Sequence, residues 1–294
     1  MPKALHATLC LHRIFTVVAI LGLASAAPAR SEPSLEPGDA AAATPWVELH
    51  AARARLLTSQ AKAANGARLA GLEIALDDGW KTYWRMPGDA GVPPDLNWEG
   101  STNVAAIKVL YPAPRRMQEA GGEVIGYKHE VLLPIEIAAQ DPTKPVALKL
   151  ALELGICREI CIPATASFTL TIPPPLAARS EGSIAAAIAR VPRPEAGRHA
   201  SDPELKAVAI EGGNAKPRLT IAAQFHGAAN ADVFVEAPEG LYVSLPRKKA
   251  QGADGSVHFE TELAGDVARD LKGKTLTLTL VSDQGATEAR RTLP

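Results

Sequence analysis

Short segments of alternating apolar and polar residues, bounded by proline and glycine, recur through most of this 294-residue chain. The segment 275–281, TLTLTLV, has the pattern of an antiparallel strand with one face in the core and the other in water. The segments HEVLLPIEIAA, VALKLALELGI and ATASFTLTIP follow a similar pattern. Because 24 prolines and 23 glycines supply the turns, short strands at this spacing predict an all-β chain built from β-sandwiches.

The first 29 residues have the order of a cleaved signal peptide. Lys3 and Arg13 come with no acidic residue, and an apolar run and small residues with A-x-A sites follow. The run is too short to span a bilayer, although a retained single anchor is the alternative. We therefore expect an exported mature chain with a net charge of about −3 instead of −1, which does not indicate nucleic-acid binding.

The remaining chain divides by composition into four parts. Residues 30–45 are rich in proline and alanine, and we expect a flexible N-terminus. Residues 46–174 and 204–294 each contain several strand segments and predict two β-sandwich domains. Residues 175–203 combine proline clusters with one short helical stretch and predict a linker between these domains.

Removal of the signal peptide, which contains Cys10, leaves Cys157 and Cys161 in the run GICREICIP. The three intervening residues can bring the two Cα atoms within disulfide distance. An even pair in an oxidising compartment indicates a disulfide or a redox couple. A bridge that closes about five residues stabilises a fold by only ~2 kcal/mol, so a purely structural role explains the pair poorly.

Three interpretations of the pair stay open from the residues alone: a redox couple, a structural staple, and a Cu(I) site made by the two thiolates. Metal binding is disfavoured because no further histidine or cysteine lies within several residues to complete a ligand set. Arg158 could stabilise a thiolate at Cys157, whereas Glu159 would oppose its ionisation. We find no hydrolase or nucleotide-binding motif and expect no cofactor.

Aromatic residues make up only 4% of the chain, yet several are concentrated in and after the run GWKTYWRMPGDAGVPP. Tyr83, Trp84 and Tyr127 are candidates for a cover over the cysteine loop, since a thiol pair in an oxidising compartment needs shielding from random oxidants. Asp89 in the same run is most simply a turn former.

Four motifs occur in order over residues 46–173: GWKTYWRMPGDAGVPPDLNW, YPAPRRM, GYKHEVLLPIEI and LELGICREICIP. Together they resemble the N-terminal periplasmic domain of the DsbD/ScsB family of thiol:disulfide interchange proteins. The resemblance implies an immunoglobulin-like sandwich with the cysteine pair at one end, under a cap loop. It also implies a periplasmic protein-disulfide reductase in which Cys161 is the attacking thiol and Cys157 resolves the mixed disulfide.

The resemblance further implies two kinds of partner. A membrane-embedded electron donor of the DsbD/CcdA type would reduce the pair, and exported proteins with disulfides would receive the electrons. Full-length family members continue into a multi-span membrane domain, which this sequence lacks, so we expect the donor to be a separate protein. The rival hypothesis is a copper-binding or redox-assembly accessory protein whose Cys157 and Cys161 bind Cu(I) or are only structural.

Overall fold

The computed structural model describes residues 43–119, 122–175, 182–213, 216–226, 230–238 and 240–294. The predicted signal peptide lies outside these residues, as does most of the expected flexible N-terminus. The predicted all-β fold is confirmed, because two pairs of sheets form two β domains. Among the described residues, no helix is long and apolar enough to cross a membrane.

In the residues that the structure describes, the first domain contains eleven strands. They are β1 (Val47–Leu49), β2 (Ala52–Lys62), β3 (Arg68–Leu76), β4 (Lys81–Gly88), β5 (Asp95–Asn97), β6 (Val104–Val109), β7 (Arg115–Glu119), β8 (Gly122–Lys128), β9 (Glu130–Ala139), β10 (Val146–Cys157) and β11 (Cys161–Ile172). One sheet has the order β1-β2-β3-β9-β6, and the other has the order β11-β10-β4-β8-β7 with β5 added beside β10.

Strand β10 illustrates how the sequence positions this core. Its even-numbered apolar residues from Val146 to Ile156 face the inside of the sandwich and are almost fully buried. Along most of the strand the side chains between them are exposed or half-buried, as expected for a sheet with one face exposed to solvent. Over the last four residues, Leu154 to Cys157, every residue is buried. Other parts of the chain therefore cover the outer face of the sheet at the end that carries the cysteines.

The described residues of the second domain form the strands β12 (Arg193–Pro194), β13 (Glu204–Glu211), β14 (Arg218–Gln224), β15 (Asp232–Glu236), β16 (Arg247–Gln251), β17 (Ser256–Glu262), β18 (Thr275–Ser282) and β19 (Gly285–Thr292). One sheet has the order β12-β19-β18-β15, and the other has the order β13-β14-β17-β16. The helix α1 (Gly182–Ala189) precedes these strands, and the 3₁₀ turn Glu195–Gly197 and the helix α2 (Gly265–Asp270) lie among them.

The segment between the domains contributes to both of them. Helix α1 buries Ile184 and Ala187 against Leu57, Leu69 and Leu132 on the outer face of the first domain. After the helix, strand β12 pairs in parallel with β19 and so joins a sheet of the second domain. Residues 182–194 of the expected linker therefore pack on the first domain at one end and on the second domain at the other.

Strand β15 joins the two domains through its alternating pattern DVFVE. Val233 and Val235 face the core of the second domain, whereas Phe234 points the other way and is fully buried in the core of the first. Phe234 packs against Trp84 with ring centroids 5.7 Å apart. On the same face, Asp232 and Glu236 accept hydrogen bonds from arginines of the first domain. A strand of the second domain therefore completes the core of the first.

Candidate functional site

The candidate site is the disulfide between Cys157 and Cys161 at the tip of the β10–β11 hairpin. The two cysteines are register partners that end one strand and begin the next, with their Cα atoms 4.1 Å apart. The loop 158–160 that joins them is closed by a hydrogen bond from the Arg158 amide to the Ile160 carbonyl, 3.0 Å long. The bridge therefore spans a tight hairpin loop, and the pairing of β10 with β11 places the two sulfurs side by side.

The two cysteines differ sharply in accessibility. Cys157 is 1% exposed and lies in a small apolar cluster with Tyr83, Met117 and Val124. Cys161 begins the edge strand β11 and is exposed. An incoming thiolate or disulfide can therefore reach Cys161, whereas Cys157 is shielded by the fold.

Tyr83 is the polar group in direct contact with the accessible sulfur. Its hydroxyl lies 3.0 Å from Sγ of Cys161 and donates the hydrogen bond, since a disulfide sulfur carries no hydrogen. Burial, with a further contribution from the negative charge of Glu119, raises the pKa of Tyr83 to about 12. The phenol is therefore protonated at neutral pH and remains a donor.

The Tyr83 ring lies in a narrow slot that glycines make possible. A Cβ placed at Gly155 would lie 3.2 Å from ring atom Cε2, and one at Gly91 would lie 2.7 Å from Cδ1. Gly155 thus lets the ring lie flat on β10, and Gly91 lets the chain after β4 close over it. This contact fixes the direction of the hydroxyl toward Cys161.

A largely buried ion pair lies beside the cysteine loop. Lys81 is the register partner of Cys157 on β4 and is only 7% exposed. Its ammonium contacts a carboxylate oxygen of Glu119 at 3.0 Å and donates to the carbonyl of Arg158, also at 3.0 Å. The lysine thereby ties the cysteine loop to strands β4 and β7 and places a positive charge near the buried cysteine.

Comparison with known protein families identifies this part of the chain. Residues 53–173 match the family model of the N-terminal domain of the thiol:disulfide interchange protein DsbD. The first domain belongs to the DsbD N-terminal family. Residues 190–294 match a domain of unknown function, DUF8393.

A solved structure is similar over most of the chain. The N-terminal periplasmic domain of ScsB from Proteus mirabilis is 26% identical and superposes with a TM-score of 0.64. The match covers 86% of this chain and 98% of that one, so both β domains are shared. Curated protein sequences gave no match.

Two of the three residues expected to cover the cysteines lie elsewhere in the DsbD-type domain. Trp84 is fully buried in the main core, because it follows Tyr83 on the same strand and so points to the opposite face. Tyr127 is buried in that core as well, and its hydroxyl donates to the Pro112 carbonyl at 2.8 Å. The expectation that Trp84 and Tyr127 form the cover is therefore corrected, and of the three only Tyr83 contacts the disulfide.

The two charged residues of the cysteine loop are both exposed. The side chain of Arg158 lies over Gly79, in the turn before β4, and its carbonyl is the acceptor for Lys81. Glu159 is at the tip of the loop, beside Ile160, which is 68% exposed. The tip thus exposes one charged residue of each sign and one large apolar residue.

Sequence reasoning missed Lys81, Glu119 and the two glycines around Tyr83. The period of a strand could have found Lys81, since it lies two residues before Tyr83 and on the same side of β4. Glu119 and Gly91 come from parts of the chain that only the tertiary fold brings to the hairpin.

In the described ranges, no three His, Cys, Asp or Glu residues are grouped as a metal site would require.

Proposed function

We propose that this protein is a periplasmic thiol:disulfide exchange protein that relays electrons to disulfides of exported proteins. The observation that carries the proposal is the asymmetry of the pair, with Cys161 exposed and hydrogen-bonded to a phenol and Cys157 buried behind it. The rate of dithiol exchange depends on which sulfur a partner can reach, and of the two sulfurs Cys161 is the accessible one. Membership of the first domain in the DsbD N-terminal family supports the same chemistry.

The exchange proceeds in two balanced steps from the reduced protein. The Cys161 thiolate attacks one sulfur of a partner disulfide, so that a mixed disulfide forms and the second partner sulfur leaves as a thiolate. The Cys157 thiolate then attacks Sγ of Cys161, which restores the internal disulfide and releases the partner as a dithiol. Two electrons have moved to the partner, whose two leaving thiolates take up protons from solvent.

Tyr83 has a defined role in this proposal. In the reduced protein, its hydroxyl would donate to the thiolate of Cys161, as it now donates to the disulfide sulfur. A hydrogen bond to the charged form stabilises that form and increases the thiolate fraction at neutral pH. The high pKa of the phenol keeps its proton on oxygen, so it stabilises the thiolate without transferring the proton to it.

The partners follow from the family and the relative. We propose a membrane-embedded donor of the DsbD type, which would reduce the internal disulfide at Cys161, and exported proteins as acceptors. A periplasmic location is supported by the ScsB relative, which is described as a periplasmic domain, and by the signal-like order of residues 1–29. The exposed loop tip at Ile160 is where either partner would first meet the pair.

An exchange assay with purified protein tests the proposal. Reduced mature protein, freed of reductant, is mixed with insulin in the absence of oxygen, and free thiols are located by mass-tagged alkylation. We expect Cys157 and Cys161 to become disulfide-bonded as an equal amount of insulin disulfide is reduced. No transfer over several hours, with the pair still titratable, would overturn the proposal. Stoichiometric Cu(I) binding that is lost without the cysteines would then favour the copper-binding hypothesis.

A further inference from the structure

We propose that the second domain sets the reactivity of the cysteine pair by holding the segment Pro87–Val92 against Tyr83. The inference rests on the proposed role of Tyr83 as the hydrogen-bond donor to Cys161. It gives the second domain a function in the redox reaction, although that domain contains no cysteine.

The first link is the contact between the segment and the Tyr83 ring. A Cβ at Gly91 would lie 2.7 Å from Cδ1 of Tyr83 and 2.5 Å from Cβ of Pro87, so the backbone already touches both. Val92, at the end of the segment, lies near Gly155 on the other side of the ring. The segment is therefore one wall of the slot that directs the hydroxyl toward Cys161.

The second link anchors this segment to the second domain. The hydroxyl of Tyr242 donates a hydrogen bond to the carboxylate of Asp89. The neighbouring Gly88, with φ of +87°, lies against Leu245, since a Cβ there would be 3.4 Å from Cδ1 of that leucine. Leu245 is 5% exposed and packs in the core of the first domain. Tyr242 and Leu245 thus hold the segment at two consecutive residues, Asp89 and Gly88.

The third link is the strand that carries Tyr83. Pairing of β4 with β8 is in register at Tyr83 and resumes only at Gly88, so the intervening residues lack regular partners on β8. Arg85 lies in this stretch and donates two hydrogen bonds to Glu236, of 2.9 and 2.7 Å, and one to Glu288, of 2.5 Å. Bidentate charged pairs of this kind fix geometry strongly. The second domain therefore supplies the restraint that the sheet itself does not.

The test measures how the alkylation rate of reduced Cys161 depends on pH, because the midpoint of that profile reports thiolate formation. In a Cys157→Ala background, Tyr83→Phe should move the midpoint upward by about 1 pH unit, since it removes a hydrogen bond to a charged group. We expect Tyr242→Phe and Glu236→Gln to move it in the same direction by about 0.3 to 0.5 unit. The charged neighbours of the site, Lys81 and Glu119, are unchanged in all of these variants.

Glu195→Gln is the matched control. Glu195 accepts two hydrogen bonds from Arg291, of 2.7 and 2.6 Å, entirely within the second domain. This variant should leave the midpoint unchanged. A shift equal to that of Glu236→Gln would overturn the inference, because it would show that the loss of any ion pair in the second domain changes the midpoint. Tyr242 is 52% exposed, so its change to phenylalanine tests the segment without loss of the fold.

The remaining outcomes separate the two proposals. A shift in Tyr83→Phe with none in Tyr242→Phe or Glu236→Gln would overturn the role of the second domain and leave the role of Tyr83 intact. No shift in Tyr83→Phe would overturn both roles, whereas electron transfer to insulin by the unchanged protein would still support the exchange function.

Discussion

Replacement of Cys161 by alanine is expected to abolish exchange, whereas replacement of Cys157 is expected to trap the partner. In the first variant the remaining thiol is Cys157, which is 1% exposed in the folded protein and cannot reach a partner disulfide. In the second variant Cys161 can still attack, but no thiol is left to resolve the mixed disulfide. The two single-cysteine proteins should therefore differ by orders of magnitude in mixed-disulfide yield.

Non-reducing mass spectrometry after incubation with oxidised glutathione or insulin measures this difference. Alkylation in denaturant provides the control, because it shows that each variant retains one reactive cysteine once unfolded. Equal yields from the Cys161→Ala and Cys157→Ala proteins would contradict the assignment of Cys161 as the attacking thiol. A higher yield from the Cys161→Ala protein would reverse the assignment.

The change Phe234→Ala should have the largest effect on stability. Phe234 belongs to the second domain but is fully buried against Trp84 in the core of the first. Truncation of a buried phenylalanine removes about 3 to 5 kcal/mol of unfolding free energy, so both domains should lose stability together. All four tryptophans are in the first domain, so urea unfolding followed by tryptophan fluorescence reports the loss there.

Phe259→Ala is the control for this prediction. Phe259 is also buried, but it packs on Phe225 inside the second domain, with ring centroids 6.1 Å apart. We expect a similar loss of stability in the second domain without a change in the native tryptophan spectrum. If Phe234→Ala costs less than about 1 kcal/mol by tryptophan fluorescence, the second domain does not support the core of the first.

The secondary structure was predictable because strand periodicity is a local property. The alternating segment 275–281 lies entirely within strand β18, and the cysteines flank a tight connection between two strands. The same periodicity, applied strictly, separates Tyr83 from Trp84, since adjacent residues of a strand face opposite ways. Tyr83 and Trp84 therefore cannot both cover the cysteine loop, and the structure places Trp84 in the core.

The surroundings of the disulfide depend on contacts distant in sequence. Asp89 is a turn residue by its local sequence, yet its carboxylate is the acceptor for Tyr242, 153 residues away. The pattern DVFVE predicts that Phe234 and Val235 face opposite sides of a strand, but it does not say that another domain covers Phe234. Such contacts follow from the packing of domains, which local sequence patterns do not encode.

A redox titration of the mature protein tests the central claim that the pair is redox-active. The protein is equilibrated in glutathione and dithiothreitol buffers of defined potential, and the fraction of Cys157 and Cys161 that is reduced is followed by alkylation. We predict a single two-electron transition with a midpoint above about −300 mV, in the range of exchange proteins. A midpoint well below about −300 mV would contradict the account, because it would make the pair an inert structural disulfide.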